Sequence, residues 1–355
     1  MQKVILNIGL LAILAAASAC DGGSGGNGQP SDSGTLGGTT NGTCTLDAMS
    51  GTDTELASLN GNGAFVAVDS TYVYFTQENS VLASPDLLRV ARTGGTSEDL
   101  THLDYAANML VDANSIYIRT YDGISKVAKT GGSSTSFASI DSMGLGAWLA
   151  QDATHVYAID DDTLCDGHGA IYAFDKQTGA KTIIAGNLKC PNALALDSND
   201  VYFVEQVGAA DTDTALMRSP LAGGTPTQLA RTSVDWSPGI ALSGSYMYFA
   251  ADVEPGDLTS GEVLMRVPVA GGSVEQVLPC VQLVTGIQSG SDGVYFGNSY
   301  GIATNNGNSY TLVPSDGSSP RFEATKADVF VSRFVVDGTT VFQADTKGVW
   351  ATTHP

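Results

Sequence analysis

One short motif recurs seven times along the chain, and this repeat limits the possible folds more than any other feature. A typical copy has an apolar residue and an Asp, followed five residues after the Asp by an aromatic residue, as in Val68-Asp69 and Val73-Tyr74. The fifth copy has Ser243 in place of the Asp, and the sixth, at Val294-Tyr295, lacks it. The aromatic residues lie 43, 40, 45, 46, 47 and 47 positions apart: Tyr74, Tyr117, Tyr157, Tyr202, Tyr248, Tyr295 and Phe342.

Strand and turn signals follow most of these aromatic residues. The cleanest example, from Leu264 to Gly272, is a short apolar strand that leads into a Gly-Gly pair. Because glycine adopts the positive φ angles of two-residue hairpins, each copy is predicted to form four short strands joined by turns. Four-stranded units with a period of about 40 to 50 residues are typical of a β-propeller. We therefore predict an all-β protein, a seven-bladed β-propeller of four-stranded antiparallel blades, with six or eight blades as alternatives.

The two ends of the repeat region predict how the ring closes. The seventh copy stops at Val349-Trp350-Ala351, after its third strand. The segment from Glu55 to Leu59 precedes the first copy and has the pattern of an isolated strand. This N-terminal strand is expected to complete the last blade, within a propeller domain that covers residues 45–355.

Between residues 54 and 351, the repeat resembles that of bacterial secreted propellers of the YWTD-like kind. The resemblance is based on the apolar-Asp turn before Val-Tyr-Phe and on the hairpin that begins at Leu264–Pro268. It implies the fold but no particular function, because propellers serve as lyases, lactonases, dehydrogenases and binding platforms. The repeated Asp and Tyr residues are interpreted as blade-building residues, the Asp bonding turn amides and the Tyr packing between sheets.

Residues 1–19 have the three zones of a secretory signal peptide. An apolar stretch follows Lys3, and Ala17-Ser18-Ala19 directly precedes Cys20. This ending resembles the lipobox of bacterial lipoproteins, which implies cleavage before Cys20 and lipidation of that cysteine. An ordinary secretory peptide cleaved after Ala19 is the alternative. We expect a membrane-anchored lipoprotein of the cell envelope, on its periplasmic or surface-exposed side.

Residues 20–44 are rich in Gly, Ser and Thr, so they cannot bury a core and are expected to form a flexible tether. The whole chain has 37 acidic and 16 basic residues and a net charge of −21. Because basic residues supply the affinity for phosphate backbones, this charge argues against nucleic acid as a partner. It also repels anionic lipids, which leaves membrane attachment to the N-terminal acyl anchor.

Four cysteines remain apart from Cys20, an even number that suits disulfide bonds in an exported protein. Cys165 lies in the predicted loop between the second and third strands of blade 3, and Cys190 lies where blade 3 passes into blade 4. Since both loops belong to one face of a propeller, a Cys165–Cys190 bond is predicted, and a Cys44–Cys280 bond follows by exclusion. A zinc site is the alternative, but neither C-x-x-C nor a His pair accompanies these cysteines.

One loop of blade 3 is unusually acidic. Carboxylates at such density could hold Ca²⁺, but their spacing does not match a calcium loop, and other loops are acidic too. A solvated acidic face is therefore the favoured interpretation, with no metal or cofactor expected and calcium as the alternative. The carboxylates of this stretch are Asp160, Asp161, Asp162 and Asp166.

Ligands of a propeller usually meet the face where strand-linking loops converge on the central channel. Residues that enter the innermost strands are therefore the candidate ligand-binding residues. For the two tryptophans among them, packing against neighbouring blades is the competing interpretation. The candidates are Tyr105, Asn108, Trp148, Asn192, Trp236 and Arg333.

Catalytic patterns are absent from the sequence, in which no metalloprotease, phosphate-binding or dinucleotide motif occurs and four His residues are scattered. The sequence therefore favours a noncatalytic binding platform for protein or glycan partners. The alternative is a propeller enzyme, a lyase or a lactonase-like hydrolase, with its site at the central channel.

Overall fold

The computed structural model describes residues 33–38, 42–49, 51–78, 84–140, 148–161, 165–208, 214–232, 239–252, 262–281, 284–298, 309–324 and 334–354. Strands in these ranges form seven sheets. None of the described residues belongs to a helix that is long and apolar enough to cross a membrane. The predicted signal peptide and Cys20 lie outside these ranges.

The seven sheets are the blades of a propeller. The first strand of each blade contacts the first strand of the next, and the first strand of blade 7 contacts that of blade 1, which closes the ring. The predicted seven-bladed β-propeller is therefore confirmed. Blades 1 to 3 are β4 (Asn62–Val68), β5 (Tyr72–Glu78), β6 (Asp86–Ala91), β7 (Glu98–His102); β8 (Asn108–Val111), β9 (Ser115–Thr120), β10 (Gly123–Ala128), β11 (Thr135–Ser139); and β12 (Leu149–Gln151), β13 (His155–Asp160), β14 (Gly169–Asp175), β15 (Lys181–Leu188).

Blades 4 to 6 follow the same order along the chain. They are β16 (Asn192–Leu196), β17 (Asp200–Gln206), β18 (Thr214–Pro220), β19 (Thr227–Thr232); β20 (Ile240–Ser243), β21 (Tyr246–Asp252), β22 (Glu262–Pro268), β23 (Glu275–Val281); and β24 (Val284–Ser289), β25 (Gly293–Asn298), β26 (Ser309–Pro314), β27 (Arg321–Ala324).

Blade 7 joins the two ends of the chain, as predicted. It consists of β28 (Phe334–Asp337), β29 (Thr340–Ala344), β30 (Gly348–Thr353) and, as its outer strand, β3 (Thr52–Ser58). Strand β3 pairs antiparallel with β30 along its length. Leu56 of β3 is 2% exposed and packs in a cluster with Val73 of blade 1 and Phe342 of blade 7. The N-terminal strand therefore closes the ring by hydrogen bonds and by apolar packing.

The structure differs from the predicted tether in its second half. There, β1 (Ser33–Gly38) and β2 (Gly42–Ala48) form an antiparallel hairpin, and β2 pairs in parallel with β27 at the outer edge of blade 6. An exposed strand edge offers free backbone hydrogen-bonding groups. An added strand can pair with these groups regardless of its own side chains.

Antiparallel order gives the ring two different faces. The turn face carries the turns between first and second strands and the hairpins between third and fourth strands, and the loop face carries all the other connections. The Gly-Gly hairpins are longer than the predicted two residues, since Ala91 ends β6 and Glu98 begins β7. Gly94 and Gly95 have φ of 80° and 139°, and the Gly95 amide donates to the carbonyl of Leu56 in blade 7. The glycines therefore serve contact between blades as well as the turn.

The repeated Asp and Tyr bond to each other on the turn face. Asp69 Oδ1 accepts the amides of Thr71 at 2.7 Å and Tyr72 at 2.8 Å, and Asp69 Oδ2 accepts the hydroxyl of Tyr74 at 2.9 Å. Lys129, which follows the third strand of blade 2, forms an ion pair with Asp69. Burial raises the pKa of Asp69, but these hydrogen bonds outweigh burial and lower it to about 2.

Blade 6 corrects one detail of the motif. Tyr295 does have an Asp partner, because its hydroxyl donates to Asp292 at 3.0 Å, from three instead of five residues away. The repeated pair is thus present in the sixth blade at a different spacing.

Candidate functional site

The loop face of blades 2 to 4 brings together the candidate residues that the structure describes. Tyr105 lies in the link between blades 1 and 2, and Tyr121 lies in the tight turn between β9 and β10. Their rings stack with centroids 3.8 Å apart and an angle of 29° between the ring planes. Tyr121 is 43% exposed, so part of its side chain stays accessible to solvent beside the stacked pair.

A buried arginine lies beneath this pair. Arg119 of β9 is 1% exposed, and its guanidinium donates to the carbonyls of Gly123 at 2.9 Å and Thr120 at 3.2 Å. Burial lowers the pKa of Arg119, and the charges of Asp160 and Asp161 in blade 3 oppose that change. The guanidinium therefore connects blades 2 and 3 electrostatically below the loop face.

Asn108 begins β8 and is the cross-strand partner of Arg119. Its side-chain carbonyl accepts the amide of Met109 at 2.7 Å, a local bond that orients the first residue of the strand. Asn108 therefore belongs to the group formed by Tyr105, Arg119 and Tyr121.

Trp148 and Asn192 form a second group on the loop face. The indole Nε1 of Trp148, just before β12, donates to Oδ1 of Asn192 at 2.7 Å. A Cβ at Gly239 would lie 2.8 Å from the Trp148 ring, so the indole reaches the start of blade 5. Trp148 is partly buried and packs against the clusters between blades 3 and 4 and between blades 4 and 5. Packing against neighbouring blades therefore holds the indole and leaves it partly exposed, and a binding role of Trp148 stays a prediction.

The predicted Cys165–Cys190 disulfide is confirmed, with the two Cα atoms 4.8 Å apart. It ties the loop between β13 and β14 to the link between blades 3 and 4. Left-handed backbone conformation in residues other than glycine costs of order 1 to 3 kcal/mol and tends to occur at functional sites. All such residues in the described ranges lie here: Cys165, Asn187, Cys190 and Ala193, with φ of 53°, 59°, 41° and 53°.

Two glutamates lie at the loop-face ends of second strands, Glu78 as the last residue of β5 and Glu205 as the next-to-last residue of β17. Burial raises the pKa of Glu78 in blade 1 and of Glu205 in blade 4. Glu205 Oε1 also accepts the amide of Lys189 at 3.1 Å, next to the disulfide. The carboxylate thus helps to hold the disulfide link against blade 4.

The acidic stretch of blade 3 is divided among different contacts. Asp160 and Asp161 interact with Arg119, whereas Asp166 pairs with His168. Asp162 lies outside the described residues. Among the residues that are described, no group of three or more His, Cys, Asp or Glu is arranged to hold a metal ion.

Several predicted residues fall outside what the structure describes. Trp236 and Arg333 lie outside the described ranges, so their binding roles stay predictions. Cys44 lies on β2 and Cys280 on β23, two strands that contact each other. Their side chains are outside the described part, so the predicted Cys44–Cys280 bond also stays a prediction.

Arg119, Tyr121 and Glu205 were not predicted from the sequence. A signal for Arg119 was present, because a charged residue ends the otherwise apolar run of Ile116, Tyr117 and Ile118. Tyr121 is recognisable only once the short turn brings it against Tyr105.

Comparison with known proteins identifies the fold but no family. No protein-family model matches the chain, and no relative is found among curated proteins. An oligogalacturonate lyase from Vibrio parahaemolyticus is similar in structure, with a TM-score of 0.57, 13% identity, and coverage of 91% of this chain and 96% of the lyase. BamB from Moraxella catarrhalis has a TM-score of 0.51, 14% identity and 82% coverage of both chains.

A puromycin-hydrolyzing peptidase from Mycobacterium tuberculosis has a TM-score of 0.57 and 14% identity, and the match covers 79% of this chain and 48% of the peptidase. The chain therefore matches about half the length of that enzyme. At such low identities, these similarities establish the β-propeller fold alone.

Proposed function

We propose that the chain is a lipid-anchored cell-envelope β-propeller that acts as a noncatalytic binding platform for protein or glycan partners. Its binding surface is the loop face of blades 2 to 4. The observation that carries this proposal is the group of aromatic and amide side chains held there by the stacking of Tyr105 on Tyr121 and by the bond from Trp148 to Asn192. Large aromatic side chains in well-packed surroundings are enriched at binding sites.

The disulfide supports the same proposal. The Cys165–Cys190 bond and the left-handed residues around it fix the connections next to Trp148 and Asn192. A surface that is already ordered loses less conformational entropy when a partner binds.

A propeller enzyme is the alternative function. The buried carboxyl groups of Glu78 and Glu205 favour it, because carboxylates with raised pKa serve as general acids in many enzymes. However, they belong to blades 1 and 4, which are not neighbours in the ring. Glu205 is also engaged with the amide of Lys189. These contacts support binding over catalysis.

Turnover assays separate the two functions. The purified full chain is offered oligogalacturonate and puromycin, the substrates named for two structurally similar enzymes. We expect no turnover above that of the Glu205→Gln variant. Turnover that is lost in Glu205→Gln would overturn the binding proposal.

Binding itself is tested on arrays of envelope glycans and immobilised envelope proteins. We expect a signal that falls in the Tyr121→Ala and Trp148→Ala variants. Ile183→Ala is the matched control, because Ile183 is 61% exposed on the outer strand of blade 3 and away from the loop-face groups. Equal loss in all three variants would contradict a binding surface at blades 2 to 4.

The lipid anchor has its own test. Metabolic labelling with an alkyne fatty acid should mark the wild-type chain and not the Cys20→Ala variant. Labelling of both proteins, or of neither, would remove the anchor from the proposal.

A further inference from the structure

The two faces of the propeller use their charges differently. On the turn face, basic side chains are engaged with the protein's own rings and carboxylates. Arg89 lies over the ring of Tyr72 at 4.4 Å and forms an ion pair with Glu98 at 2.7 Å. Arg266 repeats the arrangement in blade 5, at 4.1 Å from the ring of Tyr246 and 2.8 Å from the carboxylate of Glu275. This protein therefore twice holds a guanidinium between a tyrosine ring and a carboxylate.

Among the residues that the structure describes, acidic residues outnumber basic ones on the loop face. Within the described ranges, the basic residues at loop-face ends of strands or in loop-face connections are Arg119, Lys189, Arg231 and Lys347. Among residues whose side chains are described, the acidic residues in the same places are Glu78, Asp86, Asp104, Asp122, Asp160, Asp161, Asp166, Glu205, Glu262 and Asp345.

Tyr121 is a partly exposed tyrosine with an acidic residue next to it, and next to its stacking partner, in the sequence. Asp104 and Asp122 are exposed and lie next in sequence to Tyr105 and Tyr121, whose rings stack. No Arg or Lys among the described residues lies over the Tyr121 ring, and the residue is 43% exposed. Arg119 is 1% exposed and interacts with Asp160 and Asp161 of blade 3.

We infer that Tyr121, Asp104 and Asp122 bind a Lys or Arg side chain from a basic segment of a partner protein. This inference rests on the proposed binding function of the loop face and specifies the chemistry of its partner. A cation over a tyrosine face is attracted by the ring, and neighbouring carboxylates add Coulomb attraction. Because acidic residues exceed basic ones over the described part of the loop face, a segment with several basic residues fits the surface better than a single cation.

The test uses the full chain in mild detergent and a short fluorescent peptide of alternating Lys and Gly. Binding is measured at low salt, with a Glu-Gly peptide as the charge-reversed probe. We expect the Lys-Gly peptide to bind and the Glu-Gly peptide not to bind. Tyr121→Ala should weaken binding about two- to five-fold, the range for an exposed cation–ring contact, whereas Tyr121→Phe should keep most of it.

The carboxylates are tested with Asp104→Asn and Asp122→Asn together. The pair should weaken binding more than Asp99→Asn with Asp316→Asn, a control that removes the same charge from exposed positions away from the loop-face site. Equal effects of the two pairs, or unchanged binding in Tyr121→Ala, would overturn the inference. Binding of chitohexaose that depends on Trp148 and not on Tyr121, without binding of the Lys-Gly peptide, would also overturn it while leaving the proposed binding function intact.

Discussion

Replacing Asp69 by Asn tests how strongly the repeated Asp–Tyr pairs hold the blades together. The Asp69 side chain is 15% exposed and is shared between blades 1 and 2 through Lys129 and Tyr74. The fall of its pKa from 3.8 to about 2 corresponds to about 2 kcal/mol of folding free energy. Asparagine keeps an acceptor for the turn amides but loses the charge, so the free energy of unfolding should fall by about 2 kcal/mol at pH 7.

The pH dependence follows from the direction of the change in pKa. A carboxylate with a lowered pKa stabilises the folded state above the unfolded pKa of 3.8, and that stability is lost as pH falls towards about 2. The difference between wild type and Asp69→Asn should therefore be full at pH 7 and shrink steadily below about pH 4.

Urea unfolding, followed by tryptophan fluorescence, measures this difference at several pH values. Asp99→Asn is the matched control, because Asp99 is exposed on the outer strand of blade 1. An Asp69→Asn protein as stable as wild type at pH 7, or a difference that does not change between pH 7 and pH 3, would refute the reasoning.

Two other perturbations and one measurement on the unaltered chain have expected outcomes. Leu56→Ala in the closing strand should cost about 2 to 5 kcal/mol in urea unfolding, because the side chain is 2% exposed between blades 7 and 1; a cost below about 1 kcal/mol would contradict closure by β3. Cys165→Ala with Cys190→Ala should lower the free energy of unfolding by about 3 kcal/mol, since the bond closes a loop with a sequence separation of 25; unchanged stability would contradict that role. Peptide mass spectrometry without reductant should find Cys44 joined to Cys280, and free thiols at both positions would remove that prediction.

The sequence was sufficient to predict the ring because each blade repeats the same local chemistry. Asp69 and Tyr74 bond within one blade, so the motif marks the second strand of a blade regardless of the sequence of the loops. The closing strand was predictable too, since Leu56 and Leu59 follow an apolar pattern without a partner in their own copy. The hairpin of β1 and β2 was not, because backbone pairing at a blade edge needs little side-chain pattern and Leu36 is the one large apolar residue of β1.

The candidate site was less predictable, since its contacts join residues from different blades. The disulfide could be predicted because its two cysteines lie in loops on the same face. Asn192 could be identified as a candidate because it begins the first strand of blade 4. The bond from Trp148 to Asn192 crosses from blade 3 to blade 4, and the stacking of Tyr105 on Tyr121 joins a blade link to a turn. Neither contact has a periodic signal in the sequence.

Hydrogen–deuterium exchange of the full chain, with and without the Lys-Gly peptide, tests the proposed loop-face binding most directly. Backbone amides at a binding surface exchange more slowly when a partner orders them. We predict protection confined to the loop face around 103–107, 119–123 and 160–161. Protection on the turn face around Asp69 and Lys129, or bound peptide with no protection on the loop face, would contradict the proposed binding surface.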